Sequence, residues 1–176
     1  MMATTRPISE MTPLARADAS DVERLLDIAF GTDRHMRTAY KLRAGMMPIP
    51  GLSFAAFERG HLVGSLQCWP ITLTTPEGES FPLVLVGPVA VVPERQKSGI
   101  GRALMVTMLD AADATRSEPQ VLIGDPEYYG RFFDFTAEPT GGWELPGPVE
   151  RHRLLARTDG RALPAKGMLG PRPPIV

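Results

Sequence analysis

The chain has 176 residues, 43% of them hydrophobic and 22% charged, a balance that suits one folded domain and excludes a disordered acidic chain or a coiled coil. Its 19 Lys and Arg stand against 20 Asp and Glu, a net charge of -1, so no global field favours duplex nucleic acid or an anionic membrane, and any basic feature must be local. The single cysteine, Cys68, excludes an intrachain disulfide and a thiolate metal cluster and fits a reducing compartment.

The opening MMATTRPISEMTP has no apolar run behind Arg6 and does not read as a signal peptide. The most apolar stretch, Leu83 to Val92, is interrupted by Gly87-Pro88 and is far shorter than the roughly 18 to 20 residues that span a bilayer. No membrane helix is expected, and a cytoplasmic location is the default. In VERLLDIAF, Val22, Leu25, Leu26 and Phe30 recur at helical spacing, with Ser20 or Asp21 as cap and Gly31 as stop. A second, short basic helix is predicted over Asp33 to Arg43, with Met36, Tyr40 and Leu42 on one side.

From Leu52 the pattern changes to strands. LSFAAFE, a turn at Arg59-Gly60-His61, LVGSLQCWPITLTT, a turn at Pro76 to Glu79, and FPLVLVGPVAVV read as a three-strand antiparallel meander. A glycine-rich turn then runs into RALMVTMLDAADATR, where Ile100, Leu104, Met108 and Ala111 line one helical face. A short strand from Gln120 follows, in the arrangement where a crossover helix joins parallel strands. A short helix around Glu127 to Phe133 and a last strand around Arg151 to Arg157 complete an α+β fold. The domain is expected to run from about residue 8 to 158. Residues 159–176, rich in Gly and Pro, read as a surface tail that is neither helix nor strand.

The chemistry concentrates in Val89-Ala90-Val91-Val92-Pro93-Glu94-Arg95-Gln96-Lys97-Ser98-Gly99-Ile100-Gly101-Arg102. A helix start presents unpaired amides and a positive dipole end, and two glycines let an anion approach that backbone closely. Arg95, Lys97 and Arg102 add three cations; the plain alternative is a glycine turn with solvated charges. A Walker A loop would place Gly-Lys-Ser/Thr at the helix entry, whereas here Lys97-Ser98 precedes the glycine. A dinucleotide fingerprint would carry Gly or Ala where this chain has Leu104.

Gln96-x-x-Gly99-x-Gly101, directly after an apolar strand, resembles the acyl-CoA pyrophosphate motif of the GNAT superfamily of N-acetyltransferases, and the order of elements over about residues 10 to 158 matches that fold. Further similarity to a bacterial subgroup of small acetyltransferases of mostly unassigned substrate lies in Phe30-Gly31-x-x-Arg34, Tyr40-x-Leu42-Arg43, Val86-Gly87-Pro88-Val89-Ala90-Val91, Gly124-Asp125-Pro126-x-Tyr128-Tyr129-x-Arg131-Phe132 and Trp143-x-Leu145-Pro146-Gly147-Pro148. Asp134 stands where a glycine is usual, and Phe132-Phe133 carries an apparent extra residue. The resemblance implies a mixed, mostly antiparallel central sheet of six to seven strands flanked by helices and splayed between the fourth and fifth strands. It also implies acetyl-CoA as cosubstrate, no metal, and a small-molecule or protein amine as acceptor, and it allows a homodimer without demanding one.

Residue by residue, it implies that Val89, Ala90 and Val91 pair with the pantetheine arm and that Gln96, Lys97, Ser98, Gly99, Ile100, Gly101 and Arg102 surround the pyrophosphate. Ser98 either caps the helix or donates to a phosphate. Gly87-Pro88 suits the bulge that opens the splay. Acetyl transfer needs an uncharged amine, a stabilised oxyanion and a proton for the leaving thiolate. For that last role the resemblance points to a tyrosine on the short helix, Tyr129 in preference to Tyr128.

The base is open between Asp125, Glu127 and a water route. Acceptor contacts fall to residues 31 to 50, to Gln67 to Pro70 with Trp69, and to Trp143 to Pro148. Arg34, Tyr40 and Arg43 either meet an anionic acceptor group or make surface ion pairs of little consequence. His35, His61 and His152 lack the spacing of metal ligands, and Cys68 reads as packing. Two other readings stand beside the enzyme, a non-catalytic acyl-CoA-binding module and a nucleotide-binding protein using the same loop.

Overall fold

Alternation of side chains with period two along residues 54–91 produces the meander in the computed structural model, which describes residues 9–173. A short edge strand, β1 (Glu10–Pro13), pairs antiparallel with β2 (Phe54–Glu58), β2 with β3 (His61–Thr74), and β3 with β4 (Ser80–Val91). β5 (Gln120–Ile123) then joins β4 in parallel, and β7 (Leu154–Arg157) closes that edge antiparallel to β5. The parallel ladder holds only Val84 opposite Gln120 and Leu85 opposite Val121. Beyond Leu85 the two strands part, which is the expected splay.

The alternation of β4 decides which layer each residue enters. Val84 and Val86 face one core with Leu66, Cys68 and the inner side of the helix α3 (Ile100–Ala114), namely Ile100, Leu104, Met105 and Met108. Leu83 and Leu85 face the other core, with Leu42, Trp69, Ile71, Trp143, Leu154 and Leu169. A Leu104→Ala truncation in the first core would cost about 2–5 kcal/mol, because the side chain is fully buried and its loss leaves a cavity. Helix α1 (Ala19–Phe30) lays Val22, Leu25 and Leu26 over Ala90. The cap of α1 is Asp18, whose Oδ1 accepts from the Ser20 amide at 2.8 Å, rather than Ser20 or Asp21. Gly31 ends the helix as foreseen.

Four local expectations change. The second helix is split into a 3-10 turn over Arg34–Met36 and the short helix α2 (Thr38–Leu42), with Met36 exposed and Arg34 buried instead. Residues 166–171, expected in no regular element, form β8 (Lys166–Pro171), which pairs antiparallel with the outer half of β3 from Ile71 to Thr74. The physical reason is the length of β3. β2 covers only its first part, so residues 71–74 present an open edge, and Leu169 anchors the covering strand in the second core. A three-residue strand, β6 (Gly142–Glu144), pairs in parallel with β8, bringing the sheet to eight strands. β1 and β6 carry too few alternating residues to read as strands beforehand.

At the end of the helix α4 (Pro126–Phe133), Asp134 takes a left-handed conformation, φ 66°. Asp and Asn tolerate that region better than most side chains, which explains how aspartate stands where the resemblance has glycine.

Candidate functional site

The site is built where β4 loses its neighbour. Between β3 and β4 the pairing runs Leu66 to Val89 and then Cys68 to Val86, so Gly87 and Pro88 together oppose Gln67. This is the expected bulge, with a cis peptide at Gly87-Pro88. After it, the amide of Val92 donates to Val63 O at 2.9 Å. In an antiparallel ladder such bonds recur every second residue. Ala90 therefore turns its amide and carbonyl toward Ser65, while those of Val89 and Val91 point to the open edge. Of the three residues expected to line that edge with backbone groups, Ala90 is committed to β3 and only its neighbours remain free.

Next to this edge begins α3. Its cap, Gly99, is left-handed with φ 92°, and a Cβ there would meet nothing within 4 Å. The first intrahelical bond runs from the Ala103 amide to Gly99 O at 2.9 Å. The amides of Ile100, Gly101 and Arg102 thus project from the helix start with no partner in the turn behind them. Gln96, Lys97 and Ser98 are exposed around them. The Ser98 hydroxyl donates to Arg95 O and does not cap the helix.

Of the three cations, Arg95 is held back by the buried Glu58 carboxylate, with donors at 2.8 and 3.1 Å. Arg102 lies over the Phe132 ring at 4.4 Å. The loop fits an anionic, diphosphate-like group by its open amides, by the space over Gly99 and by the remaining cations Lys97 and Arg102.

A cleft of about 790 Å³ opens from the splay. Its walls come from the bulge, from Leu122 to Asp125 at the end of β5, from Tyr129, from Arg34 to Arg43, and from Pro148 to Glu150. Tyr129 lines the cleft and Tyr128 does not. Tyr128 packs edge-on against Tyr129 and Phe133, with ring centroids 5.0 and 5.6 Å apart. Burial pushes the Tyr129 phenol above the ordinary tyrosine value, with the Tyr128 phenol adding to the shift, so the hydroxyl keeps its proton at neutral pH. Asp125 accepts from the Glu127 amide at 3.0 Å as the cap of α4 and also lines the cleft; Glu127 does not line it.

On the opposite wall, Arg34 is buried and fully engaged. It donates to Asp27 at 3.1 Å, to the Tyr40 hydroxyl at 2.7 Å and to Glu23. These donor bonds hold its guanidinium above its ordinary value against the opposing effect of burial. Arg43 lies between the rings of Tyr40 and Trp69, 3.9 Å from each centroid. The Trp69 indole donates to Gly87 O at 2.8 Å, tying this stack to the bulge.

Trp143, expected near the acceptor, is instead fully buried and donates to Pro164 O at 2.8 Å; Pro148 with the following Val149 and Glu150 reaches the cleft. Sequence reasoning missed Arg153 on the cleft wall and gave no role to Gly124, whose contact with Tyr129 only the fold reveals. The Cys68 thiol is buried and pushed far up by that burial, which removes it from nucleophilic roles. Among the described residues, no group of three or more His, Cys, Asp or Glu is placed to hold a metal ion, and no helix is long and apolar enough to cross a membrane.

Residues 10–135 match the acetyltransferase (GNAT) domain family. The chain is 28% identical over 141 residues to the uncharacterized N-acetyltransferase YjhQ of Escherichia coli, covering 78% of this chain and 76% of that protein. It is equally identical to the uncharacterized N-acetyltransferase YhbS of the same organism, covering 78% and 82%. The fold superposes on the crystal structure of YhbS in complex with CoA with a TM-score of 0.73 at 20% identity, covering 98% of this chain and 94% of that one. It superposes on a GNAT family acetyltransferase from Brucella melitensis in complex with acetyl-CoA with a TM-score of 0.67 at 23% identity, covering 94% and 96%.

Proposed function

The chain belongs to the acetyltransferase (GNAT) family, and from that premise we propose that it transfers an acetyl group from acetyl-CoA directly to a primary amine of a small molecule or a protein. The observation that carries this reading is the adjacency of two unsatisfied backbone surfaces. The open edge of β4 at Val89 and Val91 lies beside the projecting amides of Ile100 to Arg102. One suits an extended amide-bearing arm and the other a diphosphate. The CoA and acetyl-CoA complexes of YhbS and the Brucella protein support the same donor.

Acetyl-CoA supplies the activated acyl group as a thioester. The protein's part is to position and to move protons. The amide of Val89, at the mouth of the splay, is a donor for the oxyanion that forms as the amine attacks. Tyr129 holds its proton on a half-buried phenol in the cleft wall and is the acid that protonates the departing thiolate. Asp125 and Glu150 are the carboxylates of the cleft wall. Asp125, the cap of the helix that carries Tyr129, is the residue that takes up the amine proton through a bridging water. Residues Lys97 and Arg102 place positive charge around the diphosphate-binding amides.

Isothermal titration with CoA, followed by thiol release from acetyl-CoA across an amine panel, tests the reading. Micromolar CoA binding with amine-dependent thiol release is expected. Absence of CoA binding sinks the assignment, and binding without any turnover leaves an acyl-CoA-binding module in its place.

A further inference from the structure

Resting on that reading, we propose that Arg43 is a carboxylate receptor, so that the acceptor is an amine that also carries an anionic group, as a free amino acid does. Arg43 is only 7% exposed, yet among the described residues it forms no ion pair. The other buried arginine of this wall, Arg34, has Glu23 and Asp27. The Arg43 side chain makes one hydrogen bond among the described residues, from one terminal nitrogen to Gln67 Oε1 at 3.3 Å. A buried guanidinium without a carboxylate is expensive unless something supplies the charge.

The geometry says what would fit. Both faces of the guanidinium are covered by the Tyr40 and Trp69 rings at 3.9 Å, so new partners can only approach its edge, in the plane of the fork. Arg43 is itself part of the cleft wall. In-plane, bidentate pairing is how a guanidinium binds a carboxylate, and the two rings hold the fork ready for it. The stack is itself fixed from both sides. Arg34 donates to the Tyr40 hydroxyl at 2.7 Å, and Trp69 donates to Gly87 O at 2.8 Å. Since Gly87 belongs to the bulge that opens the splay, the anion of the acceptor would be held beside the point where its amine meets the thioester.

The other charges of the wall agree in sign. Arg37, which donates to Phe30 O at 3.1 Å, and the exposed Arg153 add to Arg43. Of the two opposing carboxylates, Asp125 caps α4 and Glu150 lies 3.5 Å from His152.

The test compares matched acceptors in the whole protein, using the free amino acids against their carboxamides and against the corresponding amines without a carboxylate. Wild type should favour the carboxylate members in kcat/KM by about tenfold or more, the scale of a charge-assisted pair. In Arg43→Met that preference should disappear through KM while the Kd for CoA is kept, which also reports that the variant is folded. In Arg43→Lys, which keeps the charge but loses the fork, the preference should fall partway. Neutral amines turned over as well as the carboxylates, or an undiminished preference in folded Arg43→Met, overturns the inference and leaves the acetyltransferase reading standing. A protein that binds no CoA or turns over no amine in the panel overturns both.

Discussion

Gly124 lies so close to the ring of Tyr129 that a Cβ on residue 124 would sit 2.5 Å from Tyr129 Cε2 and 2.9 Å from Cδ2. The residue that follows β5 thus has no side chain because the Tyr129 ring occupies the place where one would go. Gly124→Ala must move the ring or the strand end. A stability loss of about 1–3 kcal/mol is expected from overpacking. Displacing the acid by even an ångström should lower kcat by about 10²-fold. CoA affinity should hold, because the diphosphate loop is on another element. Equal kcat in the variant would show that the position of the Tyr129 ring is immaterial.

Tyr129→Phe removes the proton source while keeping the ring and its contacts. General acid catalysis is worth about 10²–10⁴-fold, so kcat should fall on that scale with little change in melting temperature. The pH profile adds a sharper measurement. The acid works while protonated, and burial raises its value above the ordinary 10.0. Activity in wild type should therefore persist through pH 10 and fail only as pH rises through the raised value. An alkaline limb below pH 10 would point to a different group.

Glu58 and Arg95 supply a pH-dependent clasp between β2 and the loop before α3. The Arg95 guanidinium, with help from the Ser9 hydroxyl, holds the Glu58 carboxyl below the ordinary 4.5 despite its burial among side chains. A carboxylate whose value is lowered by folding stabilises the native state above the unfolded value. That stability is lost as pH falls through the folded one. The melting temperature of wild type should therefore exceed that of Glu58→Gln at pH 7, and the gap should close between about pH 4.5 and more acid conditions. A gap that is constant down to pH 3 would remove the ion pair from the account.

Apolar runs bounded by turn residues made β2 to β4 readable from the residues, β5 followed from its place after the crossover helix and β7 as the last strand, and the Gly87-Pro88 bulge followed from a missing donor and a flexible neighbour. What escaped depended on partners far along the chain. Met36 looked like a core residue beside charged neighbours, yet Arg34 took the interior place, because α1 delivers Glu23 and Asp27 to it. Arg43 looked equally suited to a surface ion pair or to an acceptor contact. Its burial is decided by Trp69, which reaches it only once β3 is in register. The commitment of Ala90 to Ser65 is likewise a matter of ladder parity, invisible until β3 and β4 are aligned. β8 hid behind its glycines and prolines, since only Leu169 shows an apolar anchor and the open edge it covers belongs to another strand.

The two glycines of the diphosphate loop should respond oppositely to alanine. Gly99 sits at φ 92°, where a side chain is strained whatever the space around it, although that space is empty. Left-handed backbone costs a non-glycine residue about 1–2 kcal/mol, so Gly99→Ala should lose about that much stability. It should also weaken CoA binding, because relaxing φ re-aims the amides that follow. Gly101 is inside the first turn of α3 with ordinary dihedrals, and a Cβ there would make a normal 3.6 Å contact with Val91 Cγ2. Alanine is the better helix former by about 0.5–1 kcal/mol, so Gly101→Ala should be as stable as wild type or more so. Chemical denaturation of both variants with and without CoA separates the effects, since ligand-linked stabilisation follows affinity. If Gly99→Ala matches wild type in both measurements, the left-handed cap is not what shapes the cradle, and the projecting amides of α3 need another explanation.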